Sequence, residues 1–261
     1  MRRWLVVGIA GAVSFTTLEA GAQDKADWRR KDRPIADSYL AVEMRFGPYR
    51  PNVDDGVGTV DCHGAAGCTP DGPFHKVFGD DRRFMVGGEV DWQFLHIPHF
   101  ASLAVGGTIH YTAFSGPAVF KDGTGPSAET ATLTIWPFSA LAVLRVEVIA
   151  REAGIPLVPY VKVGPGVAFW SSTNGRGVSH DRTDGTEGRG HTFGLTYAAG
   201  VQFLLDFLDP QSAKTFAIER GVKHTYLFAE YTVLDYRGLG LQPHPLYLGD
   251  KTWNIGFMFE L

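Results

Sequence analysis

Apolar and polar residues alternate along several stretches of this 261-residue chain. In "YLAVEMRF", every second residue from Leu40 to Phe46 is apolar, and Glu43 and Arg45 lie between them. A period of two predicts a β-strand with one apolar and one polar face. The same alternation recurs in five further stretches: "FMVGGEVDWQF", "LAVGGTIHY", "TFGLTYAAGVQFLL", "TYLFAEYTV" and "TWNIGFMFEL".

Two further stretches, residues 129–149 and 157–170, also read as strands, with Pro137 inside the first and Pro165 inside the second. A proline inside a sheet removes a hydrogen bond of the ladder, so we expect a bulge or distorted pairing at both sites. The count is eight strands, or ten if Pro137 divides a long strand.

The connections between these strands alternate in length, long at one end of the sheet and short at the other, as in small outer-membrane barrels. One connection at the short end, residues 209–221, has the signature of a helix: Asp209 at the N-cap, Pro210 at the first turn and Gly221 at the C-cap. We expect a short amphipathic periplasmic helix that packs Phe216 and Ala217 against the rim.

The polar faces of the strands carry charges of both signs. Their members are Glu43, Arg45, Glu89, Asp91, Arg145, Glu147, Lys162 and Glu230. Inside a closed eight-stranded barrel these side chains can pair with one another. A lipocalin-like barrel would instead expose large aromatic residues to water on nearly every strand. The pattern therefore predicts an all-β, closed antiparallel transmembrane barrel with its apolar face in lipid; a periplasmic β-sandwich is the alternative.

The first residues have the pattern of an export signal. Arg2 and Arg3 precede the apolar "WLVVGIAGAV", and "AGA" at 20–22 fits a cleavage site. We therefore expect a signal peptide over 1–22, a flexible periplasmic lead-in over 23–37 and the barrel over 38–261. A net charge of -4 does not indicate a nucleic-acid partner.

The chain has two cysteines, Cys62 and Cys68, in the stretch "CHGAAGC". In an oxidising compartment they are expected to form a disulfide with each other. A metal site that adds His63 and His75 is the alternative, but it lacks paired-ligand spacing.

The last strand contains a second pattern. Asn254, Gly256, Phe259 and Leu261 fit polar-x-Gly-x-x-apolar-x-apolar and resemble the C-terminal signal that the barrel assembly machinery recognises. A closing strand must pair with the first strand, because lipid offers no hydrogen-bond partner to an unpaired backbone group. We expect both termini in the periplasm and the long loops outside the cell.

Four phrases carry a family resemblance: "YLAVEMRFGPYRPNVD", "PFHKVFGDDRRFMVGGEVDWQF", "REAGIPLVPY" and "HTYLFAEY". They resemble a family of small myxobacterial outer-membrane β-barrel proteins, over roughly residues 38–261. The resemblance implies an outer-membrane barrel of unassigned activity, without catalytic residues to carry over.

Three functions fit these observations. The first is a non-enzymatic anchor or very narrow pore with a charged, largely plugged lumen, since eight strands leave room for little beyond side chains. The second is a lipid-modifying or proteolytic enzyme that uses His110, Ser115 and Glu89. The third is a surface protein that binds through its outer loops, although these loops contain no twelve-residue calcium-binding pattern.

No cofactor is expected. The expected partners are outer-membrane lipid and the assembly machinery, and the chain is expected to be a monomer.

Overall fold

The fold is described from a computed structural model. It describes residues 39–57, 72–97, 100–119, 125–152, 154–174, 177–179, 187–208 and 210–261. The strands are β1 (Leu40–Tyr49), β2 (Arg83–Ile97), β3 (Ala101–Val119), β4 (Pro126–Val146), β5 (Leu157–Asn174), β6 (Gly177–Val178), β7 (Arg189–Leu204), β8 (His224–Asp235) and β9 (Asp250–Glu260). The helices are α1 (Val53–Val57), α2 (Pro73–Phe78), α3 (Val148–Glu152) and α4 (Pro210–Arg220).

Eight long strands form one closed antiparallel barrel. Around the ring, β1, β2, β3, β4, β5, β7, β8 and β9 each pair with their neighbours, and β4 also pairs with β5. The ring closes where β9 pairs with β1, from Ala41 opposite Glu260 to Phe46 opposite Ile255. The two residues of β6 pair only with the end of β5. The predicted all-β barrel of eight strands is confirmed.

The two prolines interrupt the pairing without dividing a strand. Pro137 lies opposite Ala168, and Pro165 lies opposite Leu195, within continuous ladders. On the other side of each proline the ladder loses two pairs, and the register then resumes unchanged. Proline has no amide hydrogen to donate, which explains a local gap rather than a bulge. The ten-strand alternative is therefore wrong.

Side chains alternate between the two faces of the barrel wall. Residues that point inward are buried, whereas large apolar residues that point outward are exposed, and Trp92, Trp253 and Ile255 are more than half exposed. The outward face is apolar, whereas the inward face carries most of the charges of the strands. This polarity is the reverse of a water-soluble barrel.

The outward apolar surface ends at a defined level. Trp136, Phe169 and Phe193 lie at its upper limit on three strands, and the next outward residues on β4 and β5 are Thr134 and Ser171. On β7 the outward apolar residues run from Phe193 to Phe203. Ten steps of about 3.4 Å, tilted by about 45°, give a height of roughly 25 Å. We call this surface the apolar belt.

Antiparallel order places the connections at two ends of the barrel. The α2 end holds α1, α2 and the connections after β3, β5 and β8; the α4 end holds the β2–β3 turn, α3 and α4. Among the residues described here, no helix is both long and apolar enough to cross a membrane.

The predicted helix at the α4 end is confirmed, and its residues 210–220 match the predicted limits. Gly221 has a φ of 74° and its amide donates to the carbonyl of Ala217, as expected of a C-terminal glycine. The predicted amphipathic character is wrong. Phe216 remains about half exposed, Ile218 is 85% exposed, and no face of α4 gathers the apolar residues.

Candidate functional site: the charged lumen

The alternation of the strands brings seven of the eight predicted lumen charges to the inside of the barrel, each at most 2% exposed: Glu43, Arg45, Glu89, Asp91, Arg145, Lys162 and Glu230. Glu147 lies just past the end of β4, where it is half-buried and its amide donates to the carbonyl of Phe100. The register alone would create repulsion, because Glu43 on β1 stands directly opposite Glu89 on β2. Cationic side chains must therefore lie between these two carboxylates.

Lys162 supplies the first of these cations from the far side of the barrel. Its strand, β5, is four strands away from β1 in either direction around the ring. Its Nζ lies 2.7 Å from Glu43 Oε2 and 2.5 Å from Glu89 Oε1. A side chain that bonds across the full diameter of the ring closes the lumen at this level.

Arg45 supplies the second cation. Its guanidinium donates to Glu89 Oε2 at 2.5 Å and to Glu230 Oε1 at 2.9 Å, and it also contacts Glu43. Glu230 accepts further hydrogen bonds from the hydroxyls of Tyr160 at 2.9 Å and Thr232 at 3.0 Å. We call Glu43, Arg45, Glu89, Lys162 and Glu230 the central ion cluster. Its carboxylates need these partners, since an unpaired buried charge is strongly destabilising.

A second polar layer lies nearer the α4 end. Arg145 on β4 is ion-paired with Glu260 on β9, again four strands away around the ring. Arg145 Nε also donates to Gln202 Oε1 at 2.9 Å, and Gln93 Nε2 donates to Glu260 Oε1 at 3.1 Å. The network predicted from the sequence lacked Glu260, Gln93 and Gln202, although their parity along the strands places each on the polar face.

The α2 end of the lumen is apolar. Tyr49, Met85, Phe114, Ile135, Leu234 and Leu248 are among its fully buried members. Phe74 of α2 covers this cluster, with its ring 5.2 Å from that of Phe114. Below it, the hydroxyls of Ser139, Thr196 and Tyr236 bond one another at 2.8–3.1 Å. Side chains thus fill the lumen from the α2 end to the layer of Arg145 and Glu260.

Acidic residues at the α2 end of the barrel hold α2 and its flanking segments in place. The carboxylate of Asp54 accepts hydrogen bonds from the amides of Phe74 and His75 at 2.8 and 3.0 Å. Asp80 accepts from His75 and from Arg50, and the hydrogen bond from His75 is the main reason that the pKa of Asp80 is lowered. Arg82 binds both oxygens of Asp250. These carboxylates hold α2 and the segment that follows it against the barrel.

The residues of the predicted catalytic grouping are not brought together. His110 points into the lumen and is 3% exposed, as is appropriate for an even-numbered position of β3. Ser115 has the opposite parity and points outward, where its hydroxyl bonds Thr132 at 3.2 Å. The barrel wall separates this hydroxyl from both His110 and Glu89, so the three cannot act on one substrate.

One cluster of the described residues has metal-ligand composition. Glu43, Glu89 and Asp91 place carboxylate oxygens within 4.8 Å of one another, and calcium and magnesium prefer such ligands. The ammonium of Lys162 already bridges Glu43 and Glu89. The protein supplies its own cation here, which disfavours a metal.

The predicted disulfide of Cys62 and Cys68, and the alternative metal site with His63, lie outside the described residues.

The four residues of the predicted assembly signal divide between the faces of β9. Asn254 points inward, and its amide nitrogen donates to the Thr232 hydroxyl at 2.9 Å. Gly256 also points inward, where a Cβ would come within 1.9 Å of the carbonyl oxygen of Met44. Phe259 and Leu261 point outward, and the amide of Leu261 donates to the carbonyl of Leu40. Gly256 and Leu261 therefore contribute to the seam between β9 and β1, and Asn254 contributes to the contact between β9 and β8.

No protein-family model matches the sequence, and no curated protein matches it. The fold is similar to solved structures at low identity. The outer membrane protein OprG of Pseudomonas aeruginosa is 10% identical, with a TM-score of 0.41 over 86% of this chain and 96% of that one. Neisserial surface protein A is 10% identical, with a TM-score of 0.40 over 85% and 96%. The attachment invasion locus protein Ail of Yersinia pestis is 10% identical, with a TM-score of 0.38 over 86% and 97%.

The closed barrel is established by the strand register of this chain, not by these similarities. The resemblance to the myxobacterial barrel family stays a sequence prediction.

Proposed function

We propose that this chain is an integral outer-membrane β-barrel that acts as a non-enzymatic anchor with a plugged lumen. The observation that carries the proposal is the polarity of the wall. An apolar belt roughly 25 Å high surrounds the outside, as in outer-membrane barrels, and ion pairs that cross the full diameter fill the inside. Exposure of the apolar belt to water would carry a large cost in free energy, and lipid could not reach the ion pairs inside the barrel.

The orientation follows from the connections. Outer-membrane barrels have short turns on the periplasmic side and longer loops outside. We therefore assign the α4 end and both termini to the periplasm, and the α2 end to the cell exterior. Outer-membrane lipid and the barrel assembly machinery are the proposed partners, and the belt continues around the whole ring, as a monomer requires. Binding through the outer connections stays a prediction, since residues 58–71, 120–124 and 180–186 lie outside the described residues.

The proposal is tested by refolding the mature chain into planar phospholipid bilayers and recording single-channel currents. We expect insertion, shown by heat-modifiable mobility on gels, together with silent recordings. Steady stepwise openings would show that the lumen conducts and would replace the plugged anchor with a narrow pore. A chain that stays in the aqueous phase during refolding would overturn the membrane assignment itself.

A further inference from the structure

The connection between β7 and β8 exposes apolar side chains beyond the end of the apolar belt. Phe207 and Leu208 in the turn after β7 are 49% and 66% exposed, and Phe216 and Ile218 on α4 are 48% and 85% exposed. Four large apolar side chains on one short connection form a surface that water covers poorly. We call residues 205–208 and 213–223 the α4 surface.

The α4 surface is continuous with the apolar belt. Phe203 is the last outward aromatic residue of β7, and its ring packs edge-to-face against that of Phe207 with 5.3 Å between the centroids. Phe203 also stands opposite Leu227, an outward residue of β8. Whatever covers the lower rim of the belt therefore also reaches the turn that leads into α4.

A cleft of about 220 Å³ separates α4 from the rim of the barrel. Leu205, Ala213, Phe216 and Val222 form its apolar lining, and Lys223 and Thr225 contribute polar groups. The carboxylate of Asp206, which also lines the cleft, accepts from His224 Nδ1 at 2.7 Å and from the amide of Thr225 at 3.1 Å. An apolar slot whose lining includes a lysine matches an acyl chain that carries a phosphate.

The two apolar residues of α4 also differ in direction. Residues two apart on a helix are separated by about 200°, so Phe216 faces the cleft while Ile218 points away from it. A partner that lay on one face of α4 would leave the other side chain in water. Lipid can surround both, and the exposed Lys214 and Arg220 can reach headgroup phosphates from the same helix.

We infer that the α4 surface lies in the phospholipid of the inner leaflet, with one acyl chain in the cleft against Phe216 and its phosphate at Lys223. The inference rests on the proposed function, because it needs the barrel to be in a membrane. It adds a specific contact: α4 is an interfacial anchor that holds a phospholipid, rather than a helix in the aqueous periplasm.

The first experiment locates the α4 surface by spin labelling. Single cysteines replace Leu208 or Ile218 in a Cys62→Ser, Cys68→Ser chain, which is then reconstituted in phospholipid nanodiscs. Ile255 in the belt and Thr130 above it serve as lipid and water references. We expect oxygen to relax the labels at 208 and 218 more than a water-soluble nickel chelate does, as at 255, with the opposite order at 130.

Each other outcome overturns a defined part. If the nickel chelate relaxes the labels at 208 and 218 more than oxygen does, while the label at 255 gives a lipid-like signal, the inference is wrong and the proposed function is unaffected. Exclusion of both reagents at 218 means that protein covers α4, from a partner or a second copy. Nickel access at 255 refutes the membrane assignment on which both rest.

The second experiment tests the cleft by native mass spectrometry of the refolded chain with dimyristoyl phosphatidylglycerol. We expect one tightly held lipid, with affinity about tenfold lower in Phe216→Glu, because a carboxylate in an apolar slot is costly, and also lower in Lys223→Gln. Thr215→Glu, on an exposed position of the same helix, is the matched control. Equal lipid retention in all four proteins would reject the cleft as a binding site.

Discussion

Lys162 and Lys251 are both lysines on long strands, but their surroundings differ completely. Lys162 is buried between two carboxylates on the opposite side of the barrel, whereas Lys251 points outward near the α2 end and is exposed. We expect Lys162→Met to cost roughly 3–5 kcal/mol of unfolding free energy, since Glu43 and Glu89 would lose a partner. Urea unfolding in phospholipid vesicles measures this cost. Lys251→Met should change stability by less than about 0.5 kcal/mol, and equal effects would show that Lys162 does not hold the lumen together.

Gly256 is required by the closing seam of the barrel. A methyl group at this position would come within 1.9 Å of the Met44 carbonyl oxygen and 2.7 Å of the Phe228 ring. We expect Gly256→Ala to cost about 1–3 kcal/mol, as overpacking usually does, and to lower the yield of heat-modifiable barrel. Gly107→Ala is the control, because a Cβ there has nothing within 4 Å. A harmless Gly256→Ala would mean that β1 and β9 pack less closely than described.

At the scale of the elements, the stability cost of a charged substitution depends more on the height of the residue relative to the apolar belt than on its exposure. Ile255 is 60% exposed yet faces the middle of the belt, and Thr130 is exposed on the part of β4 above it. Ile255→Arg should therefore cost roughly 2–4 kcal/mol near the midplane, and Thr130→Arg at most about 1 kcal/mol. Equilibrium urea titrations of both variants in vesicles give the comparison. Similar costs would show that the two residues lie in the same solvent and that the apolar belt does not face lipid.

The elements themselves were predicted unevenly. The strands that alternate cleanly have the predicted faces, since a period of two admits only one arrangement once one side is apolar. The proline-containing strands remain single strands, because neighbours on the other side maintain their register. Helix α4 has the predicted limits, which local caps specify. Its packing was not predictable, because the flanking residues that it faces, at the ends of β7 and β8, are brought together only by the pairing of those strands.

At the scale of the whole molecule, the lumen is closed twice in series. Phe74 of α2 caps the α2 end of the lumen, and the central ion cluster lies farther from that end. Phe74→Ala should cost roughly 3–5 kcal/mol because the ring is buried against Phe114, while Lys76→Ala on the exposed side of α2 should cost little. Neither variant should conduct in planar bilayers, because the ion pairs still block the lumen. Current through Phe74→Ala would show that the cap alone closes the barrel.

The sequence by itself determined which residues point into the barrel and which point outward. Alternation is a property of neighbouring residues, so it assigned Glu43, Arg45, Glu89 and Lys162 to one face and Leu40, Met44 and Ile255 to the other before any contact was known. Local caps likewise determined the limits of α4.

Only the tertiary structure decided which of these charges meet. Lys162 reaches Glu43 across 119 residues of sequence, and Arg145 reaches Glu260 across 115. These pairs depend on the closure of the ring and on the register, which place β5 opposite β1 and β4 opposite β9. The separation of Ser115 from His110, in contrast, follows from their opposite parity on β3, which turns them to opposite sides of one wall. Periodicity fixes the direction in which a side chain points, but the partner that it meets depends on the geometry of the closed barrel.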